Sequence, residues 1–161
     1  MSINKNLLSF IIPTYKGEAT LEKLVKDLFS FFKNYDIEII IVNDCSPDNT
    51  HELCKKLITE FPKNITYIKL SKNFGEHNAV MAGLRHSEGQ NAIIMDDDYQ
   101  NLPSEALKLA EYSLKNDFDV VYTNYKVKED SYIRNIMSKI ANFSAEKLIN
   151  KPKGIYLSSF K

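Results

Sequence analysis

Tryptophan is absent from this 161-residue chain, and cysteine occurs only twice and histidine three times. Two cysteines, Cys45 and Cys54, cannot build a disulfide framework, and with only His51 between them they lack zinc-site spacing. They read as reduced thiols of a cytosolic protein. No sign of charge dominates: Lys plus Arg and Asp plus Glu number 21 each, so there is no basic field to attract nucleic acid. No apolar run approaches the length that crosses a bilayer. The opening MSINKNLLSFIIPTYKGE has no small-residue cleavage site and reads as a first strand rather than a secretory signal. Repeats, linkers and low-complexity tracts are also missing. What remains, 43% hydrophobic and 26% charged, is the composition of one globular domain long enough to bury a core.

Apolar runs alternate with amphipathic ones. Leu7–Ile12 is a short apolar run that Pro13 is expected to end, and Ile37–Val42 is a β-branched run typical of a strand covered on both faces. Ile65–Leu70, Ala92–Met95 and Val120–Thr123 complete five expected strands. Between them, Leu21, Leu24, Val25, Leu28 and Phe31 recur at helical spacing within Thr20–Lys33. Leu53, Leu57, Ile58 and Phe61 mark a second helix, with Ser46-Pro47 as its cap and first turn. His77–Ser87 and Ser104–Lys115 read as two more. This β-α alternation predicts a mostly parallel α/β sheet with helices on both faces. Beyond Asn124 a charged loop leads to an amphipathic stretch, Tyr132–Leu148. The final GIYLSSFK looks like the start of another strand, so the chain reads as a C-terminally incomplete domain.

Ligands of parallel α/β sheets bind beyond the carboxyl ends of the strands. Polar residues stand at four successive exits: Pro13, Thr14, Tyr15 and Glu18; Asn43, Asp44 and Ser46; Lys72, Asn73 and Gly75; Asp96, Asp97, Asp98 and Gln100. Where the chain is extended, Asp96 and Asp98 share a face and Asp97 looks away. Two convergent carboxylates suit Mg2+ or Mn2+, hard cations that share their shell with substrate phosphates. Bland readings stand beside each. An Asp triplet alone is more often a solvated loop, and Asp44 serves equally as a turn residue or as an acceptor for a nucleobase edge. Tyr15 is core or a stacking surface, Lys72 a solvated charge or a phosphate partner, and Gly75 a plain turn or a place of close ligand approach. His77 and His86 are ordinary surface or helix residues.

Four stretches in order, IIPTYKGEATL, IIIVNDCSPDNT, KNFGEHNAVMAGLRHSEG and IIMDDDYQNLPSE, resemble the family 2 glycosyltransferases of the GT-A fold. Within that family the chain is most similar to the polyprenyl-phosphate glycosyltransferases, the group of dolichyl-phosphate mannosyltransferase. The resemblance implies one GT-A domain over residues 1–161. It places Pro13, Tyr15, Glu18, Lys72 and Gly75 at the nucleotide pocket, with Asp44 near the base. Asp96 and Asp98 match the ends of the family's D-x-D motif, Asp98 holding the metal and Asp96 ordering the ribose or the metal shell. Gln100 matches the glutamine that follows in this subgroup. Two departures stand out: Lys72 occupies a position where arginine is usual, which removes bidentate phosphate binding there, and Asn43 replaces one of two acidic residues.

The reaction so implied moves a sugar from a UDP- or GDP-linked donor to a polyprenyl phosphate, with inversion and with Mg2+ or Mn2+ as cofactor. A lipid phosphate is already ionised near neutral pH and needs no general base, and none is conspicuous in the chain. A glycan hydroxyl acceptor of the same fold, or an inactive nucleotide-binding fragment, are the other readings. A phospho-receiver domain is discounted, because its acidic pair follows the first strand, where this chain has Pro-Thr-Tyr-Lys. The expected location is cytoplasmic, at the inner face of the cell membrane. Ile133, Ile136, Met137, Ile140 and Phe143 form one helical stripe flanked by Arg134, Lys139 and Lys147, suited either to packing on the sheet or to a bilayer surface. The surface reading predicts salt-sensitive sedimentation with anionic liposomes, reduced in folded Ile136→Asp and Ile140→Asp variants. Wild type that ignores liposomes at low salt assigns the stripe to the core.

Overall fold

In the computed structural model, which describes residues 4–116 and 118–122, strands and helices alternate along the chain. The order is β1 (Asn4–Thr14), α1 (Leu21–Phe31), β2 (Asp36–Asn43), α2 (Thr50–Glu60), β3 (Ile65–Lys69), α3 (Glu76–Leu84), β4 (Gly89–Ile94) and α4 (Pro103–Lys115). The strands form one sheet in the order β3-β2-β1-β4, and every pairing is parallel. Ile11 of the central strand lies in register with Ile40 on one side and Ile94 on the other.

Strand periodicity sorts the core into two layers. Phe10, Ile12, Ile39 and Ile41 face one way and pack with Leu21, Leu24, Val25 and Leu28 of α1, Cys54 and Leu57 of α2, and Ala106 and Leu109 of α4. The alternate residues Ile11, Ile40 and Val42 face the other way, against Ala79 of α3. A strand with neighbours on both edges and helices on both faces has no solvated side. That is why β2 is a continuous β-branched run and is buried from Ile39 through Asn43. At the opposite end from the carboxyl exits, Glu38 stitches β4 to the sheet. Its Oε1 accepts from the Ser9 hydroxyl at 2.6 Å and from the Glu88 and Gly89 N–H groups at 2.7 and 3.2 Å.

Besides shifts of a few residues at element ends, such as α3 stopping at Leu84 and β4 starting at Gly89, three differences from the sequence reading stand out. Pro13 does not end β1; the strand continues to Thr14, with Pro13 in register with Val42. Its effect falls on the other edge. Met95 N–H donates to the Ile11 carbonyl at 3.1 Å, and the reciprocal donor to the Met95 carbonyl would be the N–H of residue 13. Proline has none, so the β1–β4 ladder stops there while β1–β2 continues to Thr14 and Asn43. The second helix begins at Thr50, not at Ser46-Pro47. Its first turn is held by Asp48, whose Oδ1 accepts from the Thr50 N–H at 3.2 Å and hydroxyl at 2.6 Å. The fifth strand expected at Val120–Thr123 is not formed over Val120–Tyr122. These residues have no ladder partner among the described residues, and Val120 is 60% exposed. A β-branched run becomes a strand only where a sheet edge receives it. Thr123, the Tyr132–Leu148 stripe and GIYLSSFK lie outside the described residues.

Phe10 carries much of the larger core layer, fully buried and edge-on to Phe32 at 4.8 Å. Phe10→Ala should cost about 3–5 kcal/mol by emptying that site. In urea titration the midpoint should fall steeply while the slope stays unchanged.

Candidate functional site at the carboxyl ends of the strands

Between β3 and β4 the chain passes from one side of β1 to the other. Ligands of such open parallel sheets bind in the crevice outside the carboxyl ends of the strands where the strand order reverses. Here that position lies beyond Thr14 of β1 and Ile94 of β4, next to the point where Pro13, lacking an N–H, ends the backbone ladder between the two strands.

Hydrogen bonds tie all four strand exits into one frame. Asp44 N–H donates to the Thr14 carbonyl at 2.9 Å, and Lys16 N–H donates to the Ser46 hydroxyl at 3.1 Å, joining the first two exits. Glu18 reinforces them, its carboxylate accepting from the Asn49 N–H at 3.2 Å and from the Asn49 side-chain amide at 2.9 Å. These bonds place a carboxylate at the start of α2, where the helix dipole favours it. Tyr15, between these anchors, is 48% exposed and so offers a ring face rather than filling the core.

Asp44 joins the second exit to the third. Its side chain is 4% exposed, and its two oxygens accept from the Phe74 and Gly75 N–H groups, each at 2.8 Å. The resemblance puts Asp44 near the base; each of its oxygens also accepts from the loop before α3. Gly75 has φ +88°, and a Cβ there would meet nothing within 4 Å. Its glycine is therefore required by backbone conformation, not by crowding. Lys72 extends from this loop into solvent, its Nζ 5.0 Å from the Phe74 ring centre. Asn43, fully buried, accepts from the Ser46 N–H at 2.8 Å and donates to the Tyr67 hydroxyl at 3.1 Å, which also meets His51 Nδ1 at 2.8 Å. Nothing in the spacing of Asn43, His51 and Tyr67 announced that chain.

The three aspartates at the fourth exit divide. The strand ends at Ile94 and the chain bends from Asp97, so the extended geometry that would place Asp96 and Asp98 on one face does not reach Asp98. Asp97 turns inward and accepts a hydrogen bond from the Thr14 hydroxyl. Burial pushes its carboxyl above the ordinary value, helped by the Asp98 and Asp96 charges and opposed by the Thr14 hydrogen bond. Asp96 is half-buried and Asp98 exposed; one oxygen of Asp98 accepts from the Gln100 N–H at 2.9 Å. Among the described residues no three His, Cys, Asp or Glu side chains converge to hold a metal by themselves. Magnesium-type ions beside a nucleotide take one or two carboxylates, phosphate oxygens and water. A donor set of Asp96 and Asp98 fits that shared kind of site and not a closed protein cage.

Other titratable groups near the exits are structural. Burial, with the charges of Asp97 and Asp48, pushes the Cys54 thiol up to about 12, so it is neither a nucleophile nor a ready redox group. His77 and His86 are exposed, His86 Nδ1 lying 2.8 Å from the Ala82 carbonyl of its own helix.

Removing the Asp44 carboxylate strands two N–H groups that now bond to a charged acceptor. Because both are half-buried and regain some water, Asp44→Ala should lose about 2 kcal/mol, a melting temperature lower by about 4–8 °C. An unchanged melting curve with weakened nucleotide binding would assign Asp44 to the base instead.

Comparison with known proteins agrees with this geometry. The family described as glycosyl transferase family 2 matches residues 9–159. An undecaprenyl-phosphate 4-deoxy-4-formamido-L-arabinose transferase from Aeromonas hydrophila is 32% identical over 158 residues, 96% of this chain and 46% of that protein. Its namesake from Proteus mirabilis is 31% identical over 153 residues, 94% and 47% of the two chains. The chain thus spans about half the length of the curated relatives it matches. Among solved structures, S. aureus TarS in complex with UDP-GlcNAc superimposes with a TM-score of 0.56 at 21% identity, over 74% of this chain and 38% of that one. The mannosyltransferase PcManGT from Pyrobaculum calidifontis, in complex with GDP-Man and Mn2+, gives 0.52 at 22% identity, over 58% and 27%. These likenesses show the α/β GT-A fold. With its parallel sheet, its crevice between β1 and β4 and a family match running through all four strand exits, the chain belongs to glycosyl transferase family 2.

Proposed function

We propose that this chain is the donor-binding part of an inverting glycosyltransferase that moves a sugar from a nucleoside diphosphate to a polyprenyl phosphate. The observation that carries the reading is the strand-order reversal between β1 and β4, with Asp96 and Asp98 at the β4 exit and Asp97 turned inward to Thr14. The names of the curated relatives supply the acceptor class.

In this reading Tyr15 offers a ring face to the base. Pro13 keeps the crevice open, while Glu18, Asp44 and Gly75 hold the surrounding loops in place. Lys72, an exposed cation on the third exit, faces the diphosphate as a point charge. Asp98 and Asp96 would hold Mg2+ or Mn2+, which supplies charge neutralisation to the departing nucleoside diphosphate. Gln100, next to Asp98 through its N–H, helps order that rim. An oxygen of the acceptor phosphate forms a bond to the anomeric carbon as the bond to the donor phosphate breaks, and the electron pair leaves with the nucleoside diphosphate. Attack from the opposite face inverts the centre. The attacking oxygen carries no proton, so the absence of an evident general base among these residues is consistent with this acceptor. A lipid acceptor places the site at the inner face of the cell membrane; no helix among the described residues is long and apolar enough to cross one.

Titration calorimetry with UDP and GDP in Mn2+, Mg2+ and EDTA tests the reading. One nucleotide should bind about tenfold or more tightly with metal, a gain of about 1.4 kcal/mol or more. Asp98→Asn should abolish most of that gain. Equal affinity in EDTA overturns the proposal.

A further inference from the structure

We propose that Asp97, the middle aspartate, is a positioning residue that locks the β4 exit onto the β1–α1 turn and so sets where Asp96 and Asp98 stand. The inference rests on the nucleotide-and-metal reading of the crevice.

Three observations converge on it. First, the backbone ladder between β1 and β4 ends at the Ile11 carbonyl and Met95 N–H, because Pro13 has no donor. Beyond that point the hydroxyl of Thr14, a residue 2% exposed, donates across to Asp97, bridging residues 83 apart in sequence. Second, Gly17 closes over the same pair: a Cβ there would overlap both the Thr14 hydroxyl and the Asp97 carboxylate. The turn is built around this contact, and a larger residue at position 17 would pry it apart. Third, the chain is anchored again two residues later. The Tyr99 hydroxyl donates to Asp27 of α1, and Lys23 Nζ lies 2.8 Å from the same hydroxyl. Tyr99 has φ +62°, an uncommon conformation for a residue of its size, held in place by these bonds.

Anchors and rim residues therefore alternate. Asp97 and Tyr99 are fastened to β1 and α1, with Asp98 between them and Asp96 and Gln100 on either side of the pair. A chain pinned at alternate residues leaves little freedom to the ones between. Carboxylates set in place before the ligand arrives need not be ordered on binding. The acidic side chain between the two ends of the D-x-D match is the one that fixes the other two.

The test combines nucleotide calorimetry with amide hydrogen exchange on the unliganded protein. Thr14→Val removes the donor with little change in shape. It should speed exchange at Asp98 and Gln100 and weaken nucleotide binding in Mn2+ by about tenfold, the scale of one hydrogen bond to a charged group. Binding in EDTA should change by less than about twofold, since what is lost is the placement of the rim and not the base pocket. Thr14→Ser, which restores a hydroxyl, and Asp97→Asn, whose amide oxygen still accepts from Thr14, should both stay near wild type. Asp97→Ala should match Thr14→Val, and the double variant should be no worse than either. Unchanged exchange in Thr14→Val, or additive losses in the double variant, overturns the role of Asp97 while leaving the transferase reading intact. Wild type whose binding ignores metal overturns the transferase reading instead, and the exchange result then judges the Thr14–Asp97 lock alone. If Thr14→Val does not fold, the comparison of Asp97→Asn with Asp97→Ala decides the same question.

Discussion

The central strand is paired on both edges until Ile11 and on one edge after it, because Pro13 cannot donate to the Met95 carbonyl. The rest of the site depends on this missing donor. A residue with an N–H would extend the ladder and draw the two exits together. Because the strand order also reverses at this seam, the ligand-binding position of such sheets falls where the β1–β4 ladder ends. Two independent causes, one topological and one covalent, coincide at Pro13.

Separated strands need another means of keeping register, and here it is supplied by carboxylates bonded to neutral donors. Glu18 accepts from Asn49, Asp44 from Phe74 and Gly75, Asp48 from Thr50, and Asp97 from Thr14. Hydrogen bonds to charged acceptors are shorter and stronger than neutral ones, and N–H and hydroxyl donors impose direction where a lysine ammonium would not. The lysine–carboxylate pairs of the outer helices, such as Glu22 with Lys26 at 2.8 Å and Lys56 at 2.9 Å, are exposed. Pairs of that kind contribute little to stability. So the acidic residues serve two purposes: most around the crevice hold loops in place, and Asp96 and Asp98 stand at its rim.

Much of the architecture was legible in the chain. The run Ile37–Val42 is a buried strand and the stripe Leu21, Leu24, Val25, Leu28 faces the core, as side-chain period and water's exclusion of apolar surface require, while Phe31, at the end of the same stripe, is 45% exposed. Four polar exits and the order of their motifs pointed to the crevice and to the family. Less was legible where a residue has two uses of equal local merit. Asp44 reads locally as a turn residue or a base acceptor, and only the fold brings Phe74 and Gly75, thirty and more positions away, to its two oxygens. Val120–Tyr122 has strand composition, yet composition cannot say whether a sheet edge lies alongside.

By itself the sequence determined the periodicities, hence the parallel α/β class, and the presence of a proline and three aspartates at the ends of two strands. These are properties of neighbours along the chain, where backbone geometry alone sets which residues share a face. The tertiary structure decided which strand edge loses its donor at Pro13, that Asp97 turns to Thr14, and that Gly17 must be bare to let them meet. Those outcomes depend on groups distant in sequence arriving at one place, and local preferences cannot encode that meeting. The same three carboxylates, identical in chemistry and adjacent in sequence, take different environments because the fold surrounds them differently.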